Sequence, residues 1–281
     1  MSSPNITISD TPSASPALLA QLESHLPFSL PVLRRLQFAL NFPGGSTPTT
    51  HILHTYYSQD DNNNSSGHFA AAYVDLTRAP ETEIWLYSTL EDASTTLDPY
   101  SPTLSLGPAE AEACDELVLT LLRRVRRIAA AAAAAGGGDE RKETMVGSLN
   151  EALRRRLVER GVRMRRTDNV PEGLEATMLL LPSTVVRLDD GTPVAWAFGG
   201  LDGTLMTLHV EEPYRRRGLA RAVACKVMRD HVKDYGSDGW GSADVFIHNH
   251  RSQGVCKSIG GKLSWSSTWA ILDLSTVGDA L

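Results

Sequence analysis

Residues 208–220 read LHVEEPYRRRGLA. An apolar run ends at Val210, a proline-containing turn follows, and Arg215-x-x-Gly218-x-Ala220 stands at the mouth of an amphipathic helix. Leu219, Val223 and Val227 form one row at i, i+4 spacing, and Ala220, Ala224 and Met228 form the adjacent row, so the helix has a face to bury. Arg221, Lys226, Arg229 and Lys233 interrupt it, and Tyr235-Gly236 marks its end. This order of elements is what a phosphate-binding helix N-terminus needs. The first helical turn leaves its N–H groups unpaired, and the helix dipole adds partial positive charge there. Gly218 lets a pyrophosphate approach the backbone, Ala220 keeps the next turn small, and Arg215, Arg216 and Arg217 supply formal charge. Alone, R-x-x-G-x-A is short enough to arise by chance as a basic turn before a surface helix. Its neighbours carry the weight.

Upstream, Thr184 to Leu188 (TVVRL) is a β-branched run closed by the turn Asp189-Asp190-Gly191. Pro193 to Gly199 follows, then the turn Asp202-Gly203, then Thr204 to Val210. Two short Asp-Gly turns predict an antiparallel meander. Downstream of the helix, Ala243 to His248 alternates as a strand does, and a helical connection would make it parallel to the strand ending at Val210. Asn249-His250-Arg251-Ser252 opens a short helix ending at Gly260-Gly261. Strands at Lys262 to Ser266 and Thr268 to Leu274 complete the reading.

In these residues the chain resembles the GNAT acyl-CoA N-acyltransferase superfamily, and within it the glycine N-acyltransferase-like branch. The resemblance rests on Pro182 to Leu188, Gly191 to Trp196, Tyr214-Arg215 with Gly218-Leu219-Ala220, and Asn249-x-x-Ser252 before Ile259-Gly260. It covers about residues 175 to 274. A weaker similarity runs through HLPFSLPVLRRLQFALNF at His25 to Phe42. The resemblance implies an α/β (α+β) fold with a mixed, V-shaped sheet flanked by helices, in two GNAT-like halves in tandem. It implies acetyl-CoA or another acyl-CoA as co-substrate, with the pyrophosphate on the amides of Arg216 to Ala220. Leu208, His209 and Val210 would meet the pantetheine and thioester, and Asn249 and Ser252 would meet the pantetheine arm from the opposite strand.

The implied reaction is direct acyl transfer from the thioester to an amine, which must be neutral to attack. The developing oxyanion wants a preorganised donor, for which the Val210 N–H is the candidate. Two positions depart from the family pattern. The tyrosine that protonates the leaving thiolate is replaced by Cys256, which either donates a proton, though as a poorer hydrogen-bond donor than a phenol, or simply packs. The glutamate base of relatives that acylate glycine is replaced by Thr204, which cannot serve, so glycine as acceptor is not supported. His209, Glu211, His248 and His250 are the remaining base candidates, and His209 lies nearest the expected thioester. The expected activity is N-acyl transfer, in the first place N-acetyl transfer, to a small amine or amino acid. Protein N-acetylation is one alternative. A CoA-binding scaffold without catalysis is another, motivated by Cys256 and Thr204 together, and a purely structural α/β domain is a third.

The length of 281 residues allows one large or two small domains, and the 42% apolar fraction suffices for a core. We place an N-terminal degenerate GNAT-like or lid half at 1–145 and the acyl-CoA-binding half at 146–281. The N-terminal half has strands at His51 to Ser58, His68 to Leu76 and Glu83 to Leu90 and a helix from Pro108 to Ala135, but no R-x-x-G-x-A loop. It should make no CoA site and instead cover the acceptor pocket. Trp85 and Tyr87 alternate along one strand and either face that cleft or pack. Gln59 to Gly67 reads as a polar loop, Gly136 to Thr144 as a linker, and Leu149 to Arg160 as a further helix. Arg123, Arg124, Arg126 and Arg127 read as a solvated helix face.

A net charge of −6 argues against nucleic acid as a partner, which needs a broad basic face. Cys114, Cys225 and Cys256 have no metal-ligand spacing, so no metal is expected, and a reducing compartment follows. Cys114 and Cys225 fall in helices as packing residues. The N-terminus lacks a signal or presequence pattern and no apolar run reaches membrane-spanning length, so no membrane is expected. The expected location is the cytoplasm, with the nucleus open. Oligomeric state is not legible.

Overall fold

The computed structural model describes residues 5–58, 67–95, 103–136, 141–167 and 175–278. The chain begins with β1 (Ile6–Thr11), α1 (Pro16–Glu23), α2 (Leu30–Asn41), β2 (His51–Tyr57), β3 (Phe69–Val74) and β4 (Ile84–Ser88). The short strands β5 (Ser94–Thr95) and β6 (Thr103–Leu104) lead to α3 (Pro108–Gly136), β7 (Glu143–Asn150), α4 (Glu151–Glu159) and β8 (Met164–Arg166). Then come α5 (Glu175–Met178), β9 (Ser183–Arg187), β10 (Pro193–Gly199), β11 (Leu205–Val210), α6 (Leu219–Tyr235), α7 (His250–Ser258) and β12 (Ser267–Asp273). They form two compact units that interleave in sequence. The first comprises Met1–Val32, Thr47–Gly173 and Ser264–Leu281, and the second Leu33–Ser46 and Leu174–Leu263.

The first unit is built on a mixed seven-stranded sheet in the order β1-β2-β3-β4-β7-β12-β8. Only β4 and β7 run parallel, the other neighbours being antiparallel. β3 (FAAAYV) is buried along its whole length, as a small-residue strand must be when both faces of a sheet are covered. On one face α3 packs Cys114, Leu117, Val118, Leu121, Leu122 and Val125 into a cluster with Leu53, Ala70, Ala72, Val74 and Leu86. Apolar residues every third or fourth position, followed by an alanine run of high helix propensity, account for the length of α3. Trp85 and Tyr87 are buried at 3% and 1% exposure, so packing is their role.

The second unit is a three-stranded antiparallel meander, β9-β10-β11, as the two Asp-Gly turns predict. α6 covers one face through Val223, Ala224 and Val227 against Ala195, Ala197 and Leu205. On the other face Phe198 and Met206 pack with Phe38, Phe42, Leu181 and Tyr235. α6 runs over the expected residues and stops at Tyr235, whose hydroxyl donates to the Gly200 carbonyl at 2.6 Å.

Several expectations need correction. Ala243 to His248 forms no strand; only Ser242 bridges, in parallel sense, to Thr204. Its alternation has no sheet to bury against, and Phe246 is 66% exposed. Lys262 to Ser266 is likewise irregular. The last strand forms, but as β12 it lies between β7 and β8 in the sheet of the first unit. The expected linker ends inside β7, which also takes Leu149 and Asn150, so α4 starts at Glu151, capped by Asn150. β1, α1 and β8 were not anticipated. Cys225 is exposed rather than packed. The arginines of α3 do more than meet solvent. Arg124 pairs with Asp10 of β1, and Arg123 and Arg126 donate to the carbonyls of Gly278 and Val277. The proposed loop at 59–67 lies, except for Gly67, outside the described residues.

Candidate acyl-CoA site

The site is assembled where β11 meets α6 in the second unit. Thr207 has φ +53° inside a strand, a conformation that costs a β-branched residue about 1–3 kcal/mol. The β10–β11 register shifts at that point, so Thr207 is the extra residue of a bulge that re-aims the strand. Beyond it Leu208 and Val210 turn toward the α6 cluster. His209 takes the opposite face, its ring stacked on Trp196 at 4.5 Å between centroids. Its Nε2 lies 3.5 Å from the Glu211 carboxylate, and the imidazole is 40% exposed.

The outer edge of β11 is open. Leu205 N–H donates to the Ser242 carbonyl at 2.8 Å beside the Thr204–Ser242 bridge. Past that bridge no strand pairs with this edge among the described residues. The bridging segment is held from behind by Arg34, which is 1% exposed. Its guanidinium clasps the Asp238 carboxylate and donates to the Trp240 carbonyl at 2.6 Å. Hydrogen bonds from Arg34 and the Trp240 amide hold Asp238 below the ordinary carboxylate range, outweighing the opposing effect of burial.

Between β11 and α6 the chain makes one tight turn at Glu212–Tyr214. Arg215 Nε donates to the Val210 carbonyl at 2.9 Å and so ties the loop to the strand end. Arg217 donates to the Pro213 carbonyl and lies over the Tyr214 ring at 5.4 Å. Arg216 and Gly218 are both left-handed, at φ +62° and +79°. Alternation of this kind gathers backbone N–H groups into a concave anion nest. Gly218 is the N-cap residue of α6, no side chain caps the helix, and a Cβ at this position would meet nothing within 4 Å. The pyrophosphate cradle expected over Arg216 to Ala220 falls on these two left-handed residues, with open space around Gly218.

Asn249 stands on no strand. It is the N-cap of α7, its Oδ1 accepting the Ser252 N–H at 3.1 Å. Val255 of α7 and Ile259 just past its end pack against the same α6 cluster as Leu208, Val210 and Leu219. Cys256 is half-buried, and burial pushes its thiol up, so it stays protonated at neutral pH. Thr204 is buried with its hydroxyl donated to Asp202. His248 and His250 are exposed.

The first unit contains a comparable parting of parallel strands. β4 and β7 pair at Ile84–Val146 and Trp85–Gly147 only, and β7 then passes through Ser148 at φ +45°. Here the strand end is occupied by the chain itself. The Ser88 N–H donates to Glu91 Oε1 at 3.0 Å, and Glu91 is 3% exposed. Burial, with the neighbouring Asp92 charge, pushes the Glu91 carboxyl well above the ordinary range against the pull of the Ser88 amide. Nearby, His25 Nδ1 meets Asp92 at 2.5 Å and Tyr87 donates its hydroxyl to the same carboxylate at 2.8 Å. His25 and Asp92 line a cavity of about 410 Å³ with His68, Thr89 and Ser105. Residues 67 positions apart in sequence carry no local signal of this pairing.

The model of the acyl-CoA N-acyltransferase verG N-terminal domain matches residues 5–215. The chain belongs to that family. An FR47-like model matches residues 185–270, the span that holds the β11–α6 loop. The X-ray structure of a Drosophila protein is similar over 94% of this chain and 98% of that chain, at 15% identity and a TM-score of 0.51. No curated protein matches. Membership accords with the GNAT resemblance and with acyl transfer from CoA as the general chemistry; the glycine N-acyltransferase-like branch is not among the matches. No group of His, Cys, Asp and Glu among the described residues could hold a metal ion, and no described helix is long and apolar enough to cross a membrane.

Proposed function

We propose that the protein transfers an acyl group, in the first place acetyl, from CoA to a small amine or amino acid, and that the second unit holds the CoA. The observation that carries this reading is the uncapped start of α6 behind two left-handed residues, adjoining a strand edge left open beyond a single parallel bridge. The amides from Arg216 to Ala220 bind the pyrophosphate. The free edge of Leu208–Val210 hydrogen-bonds the pantetheine, with Asn249 and Ser252 at the N-terminus of α7 as its further neighbours. The acyl thioester then lies at Val210, whose N–H takes the developing oxyanion.

The amine nitrogen attacks the thioester carbon, forming the C–N bond as the C–S bond breaks. His209 removes the amine proton, with Glu211 beside it to stabilise the imidazolium. The second proton, left on nitrogen by the attack, passes to the CoA thiolate through Cys256, which gives up its own proton and takes the nitrogen's, so the thiol ends protonated as its burial favours. The first unit binds no CoA, since its strand end is taken by Glu91. A second reading, CoA binding without transfer, is favoured by one observation: Thr204, at the position where the resemblance to glycine-acylating relatives implies a glutamate, is locked onto Asp202.

Calorimetric titration with acetyl-CoA tests the site. One molecule should bind per chain, and Gly218→Glu should weaken binding at least about 100-fold, because a carboxylate then occupies the anion nest. An unchanged melting temperature shows the variant folded. Retained affinity in a folded variant would remove the site from this loop. Release of free CoA with an amine present then separates transfer from mere binding.

A further inference from the structure

On the face of the second unit's sheet opposite α6, Phe198 and Met206 pack in the cluster of Phe38 and Phe42. Farther along, the cross-strand row Val185–Trp196–His209 is not part of that cluster. Val185 is 43% exposed, Trp196 is half-buried, and His209 stacks on Trp196 with ring planes 22° apart. Three adjacent strands thus present an apolar and aromatic strip whose ends are two inter-strand steps, about 10 Å, apart. One end is apolar at Val185. The other carries His209 and the half-exposed carboxylate of Glu211.

We infer that this strip is the acceptor site and that it selects an amine carrying a flat apolar group on a short arm. The inference rests on the transfer reading above, with His209 as the group that takes the amine proton. An amine is a cation in neutral water, and Glu211 is the complementary charge beside His209. The length of the strip accommodates a ring with an arm of two or three atoms. The ring covers Trp196 and Val185, which gain from burial and from edge-to-face contact with the indole. A small hydrophilic acceptor such as glycine gains nothing from that end.

The probes are 2-phenylethylamine and n-propylamine, which share the ammonium and differ in the ring. In ¹⁵N-labelled protein, the Trp196 indole N–H is assigned by its disappearance in Trp196→Phe. It should shift saturably with 2-phenylethylamine in the absence of CoA and barely respond to n-propylamine. In the transfer assay with acetyl-CoA, Trp196→Ala should raise KM for 2-phenylethylamine about fivefold, with kcat and acetyl-CoA affinity changing less. Trp196→Phe should recover most of the loss, and KM for n-propylamine should differ little among the variants, any loss of kcat from the altered His209 stack falling on both amines alike. Equal KM for both amines, or an indole that ignores both, overturns the inference while leaving acyl transfer intact. Saturable binding of 2-phenylethylamine without acetyl-CoA binding overturns the transfer reading and leaves the strip as an amine site.

Discussion

In the first unit β4 and β7 pair over Ile84–Val146 and Trp85–Gly147 and then separate. In the second, β11 shares the Thr204–Ser242 bridge with the following segment and then separates. Each parting lies next to a non-glycine residue at positive φ, Ser148 in one and Thr207 in the other. The backbones are alike, but the chemistry is opposite. In the first, the Ser88 amide is consumed by the buried Glu91 carboxyl group. In the second, the chain leaves the strand edge open and follows it with Gly218 and an uncapped helix. A parting of strands is therefore scaffold only. On the proposed reading, what would make one of them a site is the loop that follows, and whether the chain's own side chains fill the space.

The largest effect separating the two should come from removing the clasp behind the open site. Arg34→Leu leaves the Trp240 carbonyl without this donor and the Asp238 carboxylate with the Trp240 amide but no guanidinium. Stranding a largely buried charge costs about 3 kcal/mol, to be read from urea denaturation at neutral pH. Because Arg34 fixes the segment entering Ser242, acetyl-CoA affinity should fall as well, even in the fraction that remains folded. Arg34→Lys, with one point charge for a planar fork, should recover only part of either loss. Full stability and affinity in Arg34→Leu would mean that the open edge does not depend on this clasp.

The contrast also shows what a sequence can disclose. The meander, α6 and its end at Tyr235 were legible because two Asp-Gly turns and an i, i+4 pattern are local signals. Gly218 was legible because a loop without a Cβ leaves a mark in the residue types. The bulge at Thr207 left none, since nothing in LMTLHV announces a left-handed threonine; the partner strand and α6 impose it. β12 was readable as a strand but not as a strand of the first unit, because pairing across more than a hundred residues is decided by packing. Asn249 misled for a related reason. Its neighbourhood alternated like a strand, whereas its side chain serves as a helix cap.

Glu91 offers the next test. Its folded carboxyl titrates well above its unfolded value, so the stability it contributes is complete below the ordinary carboxylate value and is lost as pH rises through the folded one. Glu91→Gln retains an acceptor for Ser88 but cannot ionise. Its stability relative to the parent should grow by about 1.4 kcal/mol for each pH unit across that window. CoA stoichiometry should stay at one per chain. A variant that tracks the parent at every pH would show Glu91 ionised in the fold, and a second CoA would show the first parting to be a site that Glu91 merely blocks.

The smallest expected effect is the most specific to the comparison. Thr207→Gly removes the left-handed penalty but makes the unfolded chain more flexible, so net stability should rise by only about 0.5 kcal/mol. The strain has a consequence for activity, because a threonine forced into the bulge holds Leu208 and Val210 toward α6 and His209 toward Trp196. Glycine permits that geometry without enforcing it. Turnover should therefore fall about threefold while acetyl-CoA affinity, carried mainly by the loop beyond, falls less. Ser148→Gly makes the same exchange at the occupied parting and should leave turnover unchanged. If the two variants alter turnover equally, the bulge in β11 has no special part in the chemistry, and the difference between the partings lies wholly in the loops that follow them.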